Sequence, residues 1–416
     1  MSQDKGKLKR SLGLVDTVFL AMGVILGAGI YAIIGEATGL AGNMIWLAFL
    51  IAAFVALLSA LSYAEFVSRF PDAGGSFEYI KQTFGMKTAL FFGFAVVCTG
   101  IIASAAIAIS FADYLQKLWD LPNWTAILGI TVILGLIDLI GVKHSSLTNI
   151  IATVITLIGL VFVVALGFPY IGETDLLEFP ENGFTGILAA GALSFFAYVG
   201  FEDVVKTSEE TKNPRKTVSR GILIAAAGVT VIYVLVAMST VSLESWQNLA
   251  GSGSPLATAI EGEVGQWGIT GLIVVALFAT ANSIQTNIIG TSRLVYDISR
   301  DSELKWMKKL AYIPKKLSTP VFATAAIVSL VIAFAMIGNL KIVASISNLF
   351  VYIVFLAVNV SLITWRIRNK NKERAPFHIP LNFRNVPIPT ILAIASLLLM
   401  LGFNIYNLST GALGGH

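Results

Sequence analysis

Apolar residues fall in long blocks along this chain, separated by short polar stretches. Eleven blocks stand out, at about 14–38, 43–66, 87–112, 124–141, 147–169, 185–205, 217–241, 267–297, 320–338, 342–365 and 387–406. A bilayer core takes roughly 20 residues of helix to cross, so each block predicts a membrane span. Two blocks are interrupted. The first contains GVILGAGIYAIIG, with Gly23, Gly27 and Gly29 near its middle. The sixth contains SFFAYVGFEDVV, where Gly200 precedes Glu202 and Asp203. Glycine weakens a helix by about 1 kcal/mol against alanine. A helix broken in lipid also leaves backbone groups without water to bond them. Gly-Ala-Gly alone reads equally as close helix packing by small residues. The second interruption, five blocks later, changes that reading. Under alternating topology the two blocks run in opposite directions, as in an inverted-repeat transporter.

The predicted fold class is therefore an all-α polytopic membrane protein of about eleven transmembrane helices. Two inverted five-helix repeats, about 14–169 and 185–365, have discontinuous first and sixth helices, and one accessory helix follows at about 387–406. Residues 1–416 read as one transmembrane domain. Broken half-helices present free N–H groups on one side and free C=O groups on the other, which suits a charged or zwitterionic solute.

Composition agrees. Only 12% of residues are charged and the mean hydropathy is +0.81, against roughly 25% charged in soluble proteins. With the N-terminus placed inside, 26 of the 28 basic residues fall in inside segments, and only Lys117 and Lys341 fall outside. The outer stretch 170–183 is acidic, with Glu173, Asp175, Glu178 and Glu181. This is the positive-inside pattern of a cell-membrane protein with a cytoplasmic N-terminus and, for eleven spans, an outer C-terminus. The net charge of +4 is strewn over six inside segments. Anionic lipid headgroups account for it and no nucleic-acid partner is needed. Nor does the sequence call for an obligate protein partner. The basic start MSQDKGKLKR leads into a block too long for a cleaved leader, so it reads as the first span. One cysteine, Cys98, excludes an internal disulfide framework, and His144, His378 and His416 are too scattered for a zinc or haem site.

Four stretches carry a family resemblance. GVILGAGIY in the first span, SYAEFVSRFPDAGGSFEYI (62–80), FFAYVGFEDVVKTSEETKNPRKTVSRGI (195–222) and GTSRLVYDISRD (290–301) are collinear. Together they resemble the amino acid–polyamine–organocation superfamily. The resemblance implies the leucine-transporter fold and secondary transport of an amino acid. It places the substrate carboxylate on backbone N–H groups around Gly27, Ala28, Gly29 and Ile30. It places the amino group on carbonyls around Phe196, Ala197 and Val199, in a segment that also holds Tyr198 and Gly200. Phe195 or Phe196 would gate the site. There are departures. Many members have twelve spans, and here Ser219 stands before Arg220 where the family usually has proline. Proton-coupled members often carry a lysine in the fifth span. That position falls near Thr156, and no lysine lies between Lys143 and Lys206. A coupling ion, Na+ or H+, is the only cofactor-like group implied. A sodium ion would draw on carbonyls of Gly23 and Leu26 with Thr280, Asn282 and Ser283; hydrogen bonding between helices explains those polar residues equally.

Carboxylates near spans are functional candidates. Glu202 would pair with a substrate amine or cap the unwound backbone. Glu65, with Arg69, would join Glu209 and Arg215 of the loop after the sixth span in an inner gate. Asp113 and Asp138 lie near span ends, where hydration lowers their cost. No ring of like charge marks a channel filter, and no clustered acid, base or nucleophile marks an enzyme. The leading function is secondary active transport of an amino acid. A polyamine or amine permease, an exchanger without ion coupling, and a non-transporting amino acid sensor are the alternatives. Selectivity would rest on the third, sixth, eighth and tenth spans, whose register the sequence leaves open.

Overall fold

The computed structural model describes residues 10–71, 75–140, 146–300, 305–314, 319–369 and 375–409. The basic run before Arg10, Lys143, the 370–374 segment, and Ala73 and Gly74 lie outside the described residues, as does the side chain of Glu209.

The first apolar block folds as two helices, α1 (Leu14–Leu26) and α2 (Gly29–Ala41), parted at Gly27 and Ala28. After a turn at Gly42, where φ is +54°, come α3 (Ile45–Arg69), α4 (Gly75–Phe84), α5 (Met86–Gln116), α6 (Asn123–Ile140) and α7 (Ser146–Gly167). The sixth block starts as α8 (Gly183–Ser194) and tightens into a 3₁₀ turn at Phe195–Tyr198. It is extended at Val199, turns at Gly200 (φ +132°) and resumes as α9 (Phe201–Val204). Then follow α10 (Pro214–Leu243), the short α11 (Trp246–Ala250) and α12 (Pro255–Ala259), α13 (Gln266–Arg300) and α14 (Lys305–Leu310). The last three helices are α15 (Val321–Ala335), α16 (Leu340–Arg368) and α17 (Ile388–Ser409). A two-strand hairpin, β1 (Asn382–Phe383) with β2 (Val386–Pro387), precedes α17. Arg384 and Asn385 both take positive φ there, as a tight two-residue hairpin turn requires.

Local sequence explains several ends. Pro214 opens α10, where its missing N–H has no helical partner to lose. Asn339 caps α16, its Oδ1 accepting the Ile342 N–H at 2.9 Å. Gly13 N–H donates to Asp16 at 2.8 Å at the start of α1.

Among the described residues nine helical runs are long and apolar enough to cross a membrane. The count is lower than eleven for two reasons. The run Gly29–Arg69 takes in both α2 and α3 through the Gly42 turn, and α1 and α15 are shorter apolar helices. At 13 residues α1 rises only about 20 Å, so it needs α2 to complete the crossing. This is a nearly all-helical, multi-pass membrane protein. In its packing α3 lies on α10, α5 on α13 and α6 on α15, which sets the second, third and fourth spans against the seventh, eighth and ninth.

One end of the bundle gathers the start of α1 and the ends of α3, α13 and α16, and carries Arg69, Arg300 and Arg368; it is called the basic end here. At the opposite end α11 and α12 sit on α2. A Cβ on Gly35 would lie 3.0 Å from the Leu249 carbonyl, and one on Gly39 would lie 3.1 Å from Ala250 Cβ. The acidic stretch is pinned there too: Asn43 donates to Glu178 at 2.8 Å and Trp46 to the Leu176 carbonyl at 2.9 Å.

Candidate functional site

A cavity of about 350 Å³ lies between the two helix breaks. Ala28 and Gly29 wall it from the first break, and Phe196, Ala197, Val199 and Gly200 from the second. It runs toward the basic end, where Leu12, Ser76, Glu210 and Arg293 border it. The opposite way is filled. Ile30, Tyr31, Ile33 and Ile34 of α2 and Leu249, Leu256 and Ile260 of the cover are all fully buried.

The first break is shaped by missing side chains. A Cβ on Gly27 would collide with Ser283 Oγ, and one on Gly23 with Thr153 Oγ1. A Cβ on Gly29 would stand 2.6 Å from Ala197 Cα, which is backbone of the second break. Glycine is there because neighbouring chain fills the place of its side chain. The break also re-pairs some of its backbone: Ala28 N–H donates to Ser283 Oγ at 3.0 Å. The N–H groups of Gly29, Ile30 and Tyr31 form the first turn of α2 and have no carbonyl within that helix.

The second break is held by side chains. Asn348 Nδ2 donates to the Ala192 and Leu193 carbonyls at 2.8 and 3.1 Å, and Tyr352 OH donates to Ala192 at 2.8 Å. Glu202 turns back on its own segment, accepting the Gly200 N–H at 3.0 Å. Of the two roles the sequence offered Glu202, this contact is the capping one. The Tyr233 phenol lies between the breaks, 2.7 Å from the Ile25 carbonyl and 3.2 Å from that of Ala197.

The remaining expected residues separate by place. Gly23, Asn282, Ser283 and Glu202 border the cavity; Gly27, Leu26, Ile30, Thr156 and Thr280 do not. Thr280 donates to its own helix, to Ala276 at 2.8 Å and Leu277 at 3.0 Å. The Thr156 carbonyl accepts from Tyr31 OH at 3.3 Å, so it faces α2. The α7 residue that meets α1 at Gly23, one turn before the first break, is Thr153. Phe196 faces the cavity. Phe195 turns away, its ring 4.8 Å from that of Tyr352 and 5.8 Å from that of Phe355. Tyr198 also turns away, against Tyr233 at 5.2 Å.

Of the four residues expected at an inner gate, Glu65, Arg69 and Arg215 have described side chains. Glu65 is fully buried and pairs with Arg69 at 2.7 Å and with Arg366 of α16, whose Nε lies 2.9 Å from Oε1. It also accepts the Ile379 N–H at 3.0 Å. Arg69 lies over the Trp365 ring at 4.3 Å. Arg366 also meets His378, whose burial holds its imidazole below the usual range. Arg215 is exposed and makes no ion pair among the described residues. A buried carboxylate needs partners delivered on packed helices, and α3 and α16 supply them. Ser219, standing where proline was expected, donates to the Ala64 carbonyl at 2.8 Å and ties α10 to α3.

Sequence reasoning named Asn282 and Ser283 but missed Tyr233, Thr153, Asn348 and the rest of the α13 face that lines the cavity. That face carries Asn282, Ser283, Thr286, Asn287, Gly290 and Arg293, at the three- and four-residue spacing of one helix side. The spacing was readable in TANSIQTNIIGTSR. Asn348 had a signal as well, being an amide inside an apolar span. Among the described residues no three His, Cys, Asp or Glu side chains gather as a metal site.

The chain was compared with known proteins. It is 27% identical over 394 residues to a branched-chain amino acid permease of Bacillus subtilis, covering 88% of this chain and 83% of that one. It is 28% identical over 423 residues to a methylthioribose transporter of the same organism, covering 94% and 88%. A cationic amino acid transporter of Arabidopsis thaliana is 27% identical over 379 residues, covering 86% of this chain and 63% of that one. Residues 12–414, which include both breaks and the whole cavity wall, match the amino acid permease family, and the chain belongs to that family.

Proposed function

We propose that this protein carries a free amino acid across the cell membrane by alternating access, holding the zwitterion between the two breaks. The observation that carries the proposal is the cavity itself. It lies where both helices are interrupted, bordered on one side by the first turn of α2 and on the other by the 3₁₀ turn after α8. A helix start offers N–H groups and partial positive charge to a carboxylate. Ala28 N–H is already taken by Ser283, so the carboxylate would use the Gly29 N–H and the Ser283 hydroxyl. The amino group would meet carbonyls of Phe196, Ala197 and Val199. Phe196 would cover the solute as the thin gate; Phe195 would serve the hinge by packing on α16.

By the positive-inside pattern the basic end is cytoplasmic, so this form is open inward. The polar face of α13 gives the solute a wetted path to that end. Arg215 stands apart from Glu65 here, which fits a gate made only in the outward-open form. The names of the relatives include amino acid permeases, which favours an amino acid over a polyamine.

The test is uptake into proteoliposomes of purified full-length protein, with a sodium gradient, a proton gradient or neither. Saturable accumulation of a labelled amino acid, with counterflow, is the expected result. The gradient that drives it identifies the coupling ion, and exchange with neither gradient identifies an antiporter. No uptake of any amino acid by folded protein overturns the proposal.

A further inference from the structure

Away from the cavity at the breaks, a second hollow of about 750 Å³ lies between α8 and α17. It sits at the end of the bundle opposite the basic one, where α2 and α17 finish and α8 begins. Leu40 of α2, Gly186 and Ala189 of α8, and Leu398 and Gly402 of α17 form its walls. It opens sideways. Leu398, Leu399 and Tyr406 on its border are half exposed or more, and apolar side chains exposed on a membrane-spanning helix meet the bilayer. The floor is bare, since a Cβ on Gly402 would meet nothing within 4 Å.

The hollow has a definite depth. Its lining on α17 runs from Asn407 back to Leu398, nine residues, or about 14 Å of helix. One leaflet's hydrocarbon is about 15 Å deep, half of a roughly 30 Å core. A hollow that starts near the membrane surface and stops near the midplane fits a chain from one leaflet. A second copy of this protein, or a single-span helix, would need a groove that runs the whole crossing.

One polar side chain belongs to it. Asn407 is 6% exposed and borders the hollow. Asn404, on the same helix, donates to the Ser345 carbonyl at 2.8 Å, whereas the Asn407 amide makes no hydrogen bond among the described residues. An amide beside hydrocarbon is costly unless something pairs it. The ester and glycerol oxygens of a phospholipid lie at that depth and accept from amide N–H groups.

Charge at the mouth narrows the headgroup. No Lys or Arg borders the hollow. Glu181 precedes Asn182 of its border and is exposed, at the close of the acidic stretch. An anionic headgroup would meet carboxylates with no basic partner, and an amine would be drawn to them.

We infer that this hollow is a lipid site. It takes one acyl chain of a zwitterionic phospholipid with a primary amine, the Asn407 amide bonds the ester region, and Glu181 favours the headgroup. The inference rests on the membrane fold and on no reading of the transported solute.

The experiment is native mass spectrometry of the delipidated full-length protein in detergent, titrated with dioleoylphosphatidylethanolamine or dioleoylphosphatidylglycerol. Unfolding temperature is recorded on the same samples. One tightly retained phosphatidylethanolamine per chain is expected, about threefold or more tighter than phosphatidylglycerol, with a rise in unfolding temperature. Gly402→Leu places a side chain in the hollow and is expected to abolish that retention, while its unfolding temperature without lipid stays near that of the wild type. Asn407→Ala is expected to weaken retention roughly three- to tenfold. Glu181→Gln is expected to shrink the preference for ethanolamine about twofold. Gly129→Leu is the control: it is equally open at its missing Cβ but lies on α6, so it should keep the lipid. Full retention in Gly402→Leu, or equal retention of the two lipids by the wild type, overturns the site. Lipid loss in Gly129→Leu as well overturns it in favour of an unspecific lipid shell. A wild-type dimer that Gly402→Leu separates overturns it in favour of a second copy of the chain.

Discussion

The two helix breaks solve one problem in opposite ways. The first is made by subtraction: Gly23, Gly27 and Gly29 leave spaces that Thr153, Ser283 and Ala197 fill. The second is made by addition: Asn348, Tyr352, Glu202 and Tyr233 bring polar atoms to backbone groups that lost their helical partners. The difference follows from what each break gives up. The first loses only two residues of helix, and Ser283 covers the Ala28 N–H between its halves. The second changes helix type, extends and turns at positive φ, so more backbone must be re-paired from outside. A tight break is therefore sensitive to volume, and a loose one to lost donors.

Four substitutions and one control probe that contrast. The largest effect belongs to Gly29→Ala, because the added Cβ meets backbone that cannot yield. It is expected to destabilise by about 2–3 kcal/mol, read from thermal unfolding in detergent. Gly129 has nothing within 4 Å of its missing Cβ, so Gly129→Ala is the control and should be neutral or stabilising. Equal behaviour of the two would remove the argument from space. Next is Asn348→Leu, near in shape but without the two donors at the second break; a loss of about 2 kcal/mol is expected in the same assay. Tyr233→Phe removes one hydroxyl shared by both breaks and should cost about 1 kcal/mol, with a larger proportional loss in substrate affinity than in stability. A stability change with affinity untouched would make Tyr233 a packing residue only. The smallest effect is expected for Thr280→Val, within about 0.5 kcal/mol, since that hydroxyl bonds only its own helix. A large loss of transport there would restore Thr280 to the first break.

The breaks were legible in the sequence because glycine within an apolar block has a local cost that any reading must explain. The helices were legible for a similar reason: length and apolarity are local. The register between helices was not. Nothing near Ser283 states that its hydroxyl sits in the notch of Gly27, 256 residues earlier, and Thr156 was placed one turn away from the residue that reaches α1 at Gly23. Glu65 could be read as paired but not with whom, since Arg366 lies 301 residues away. Phe195 and Phe196 are adjacent and identical in type, and only the 3₁₀ turn decides which ring faces the cavity.

Tyr233 has one hydroxyl hydrogen and two carbonyls in front of it, and a phenol donates to one acceptor at a time. The shorter distance assigns that hydrogen to Ile25, on the first break. Ala197, on the second, keeps a lone pair directed at a donor that is engaged elsewhere. On the proposed transport reading, an arriving ammonium would meet there a carbonyl whose nearest donor is engaged elsewhere. On that reading, the departure of the solute would leave the phenol hydrogen where it was, on Ile25, and the first break braced.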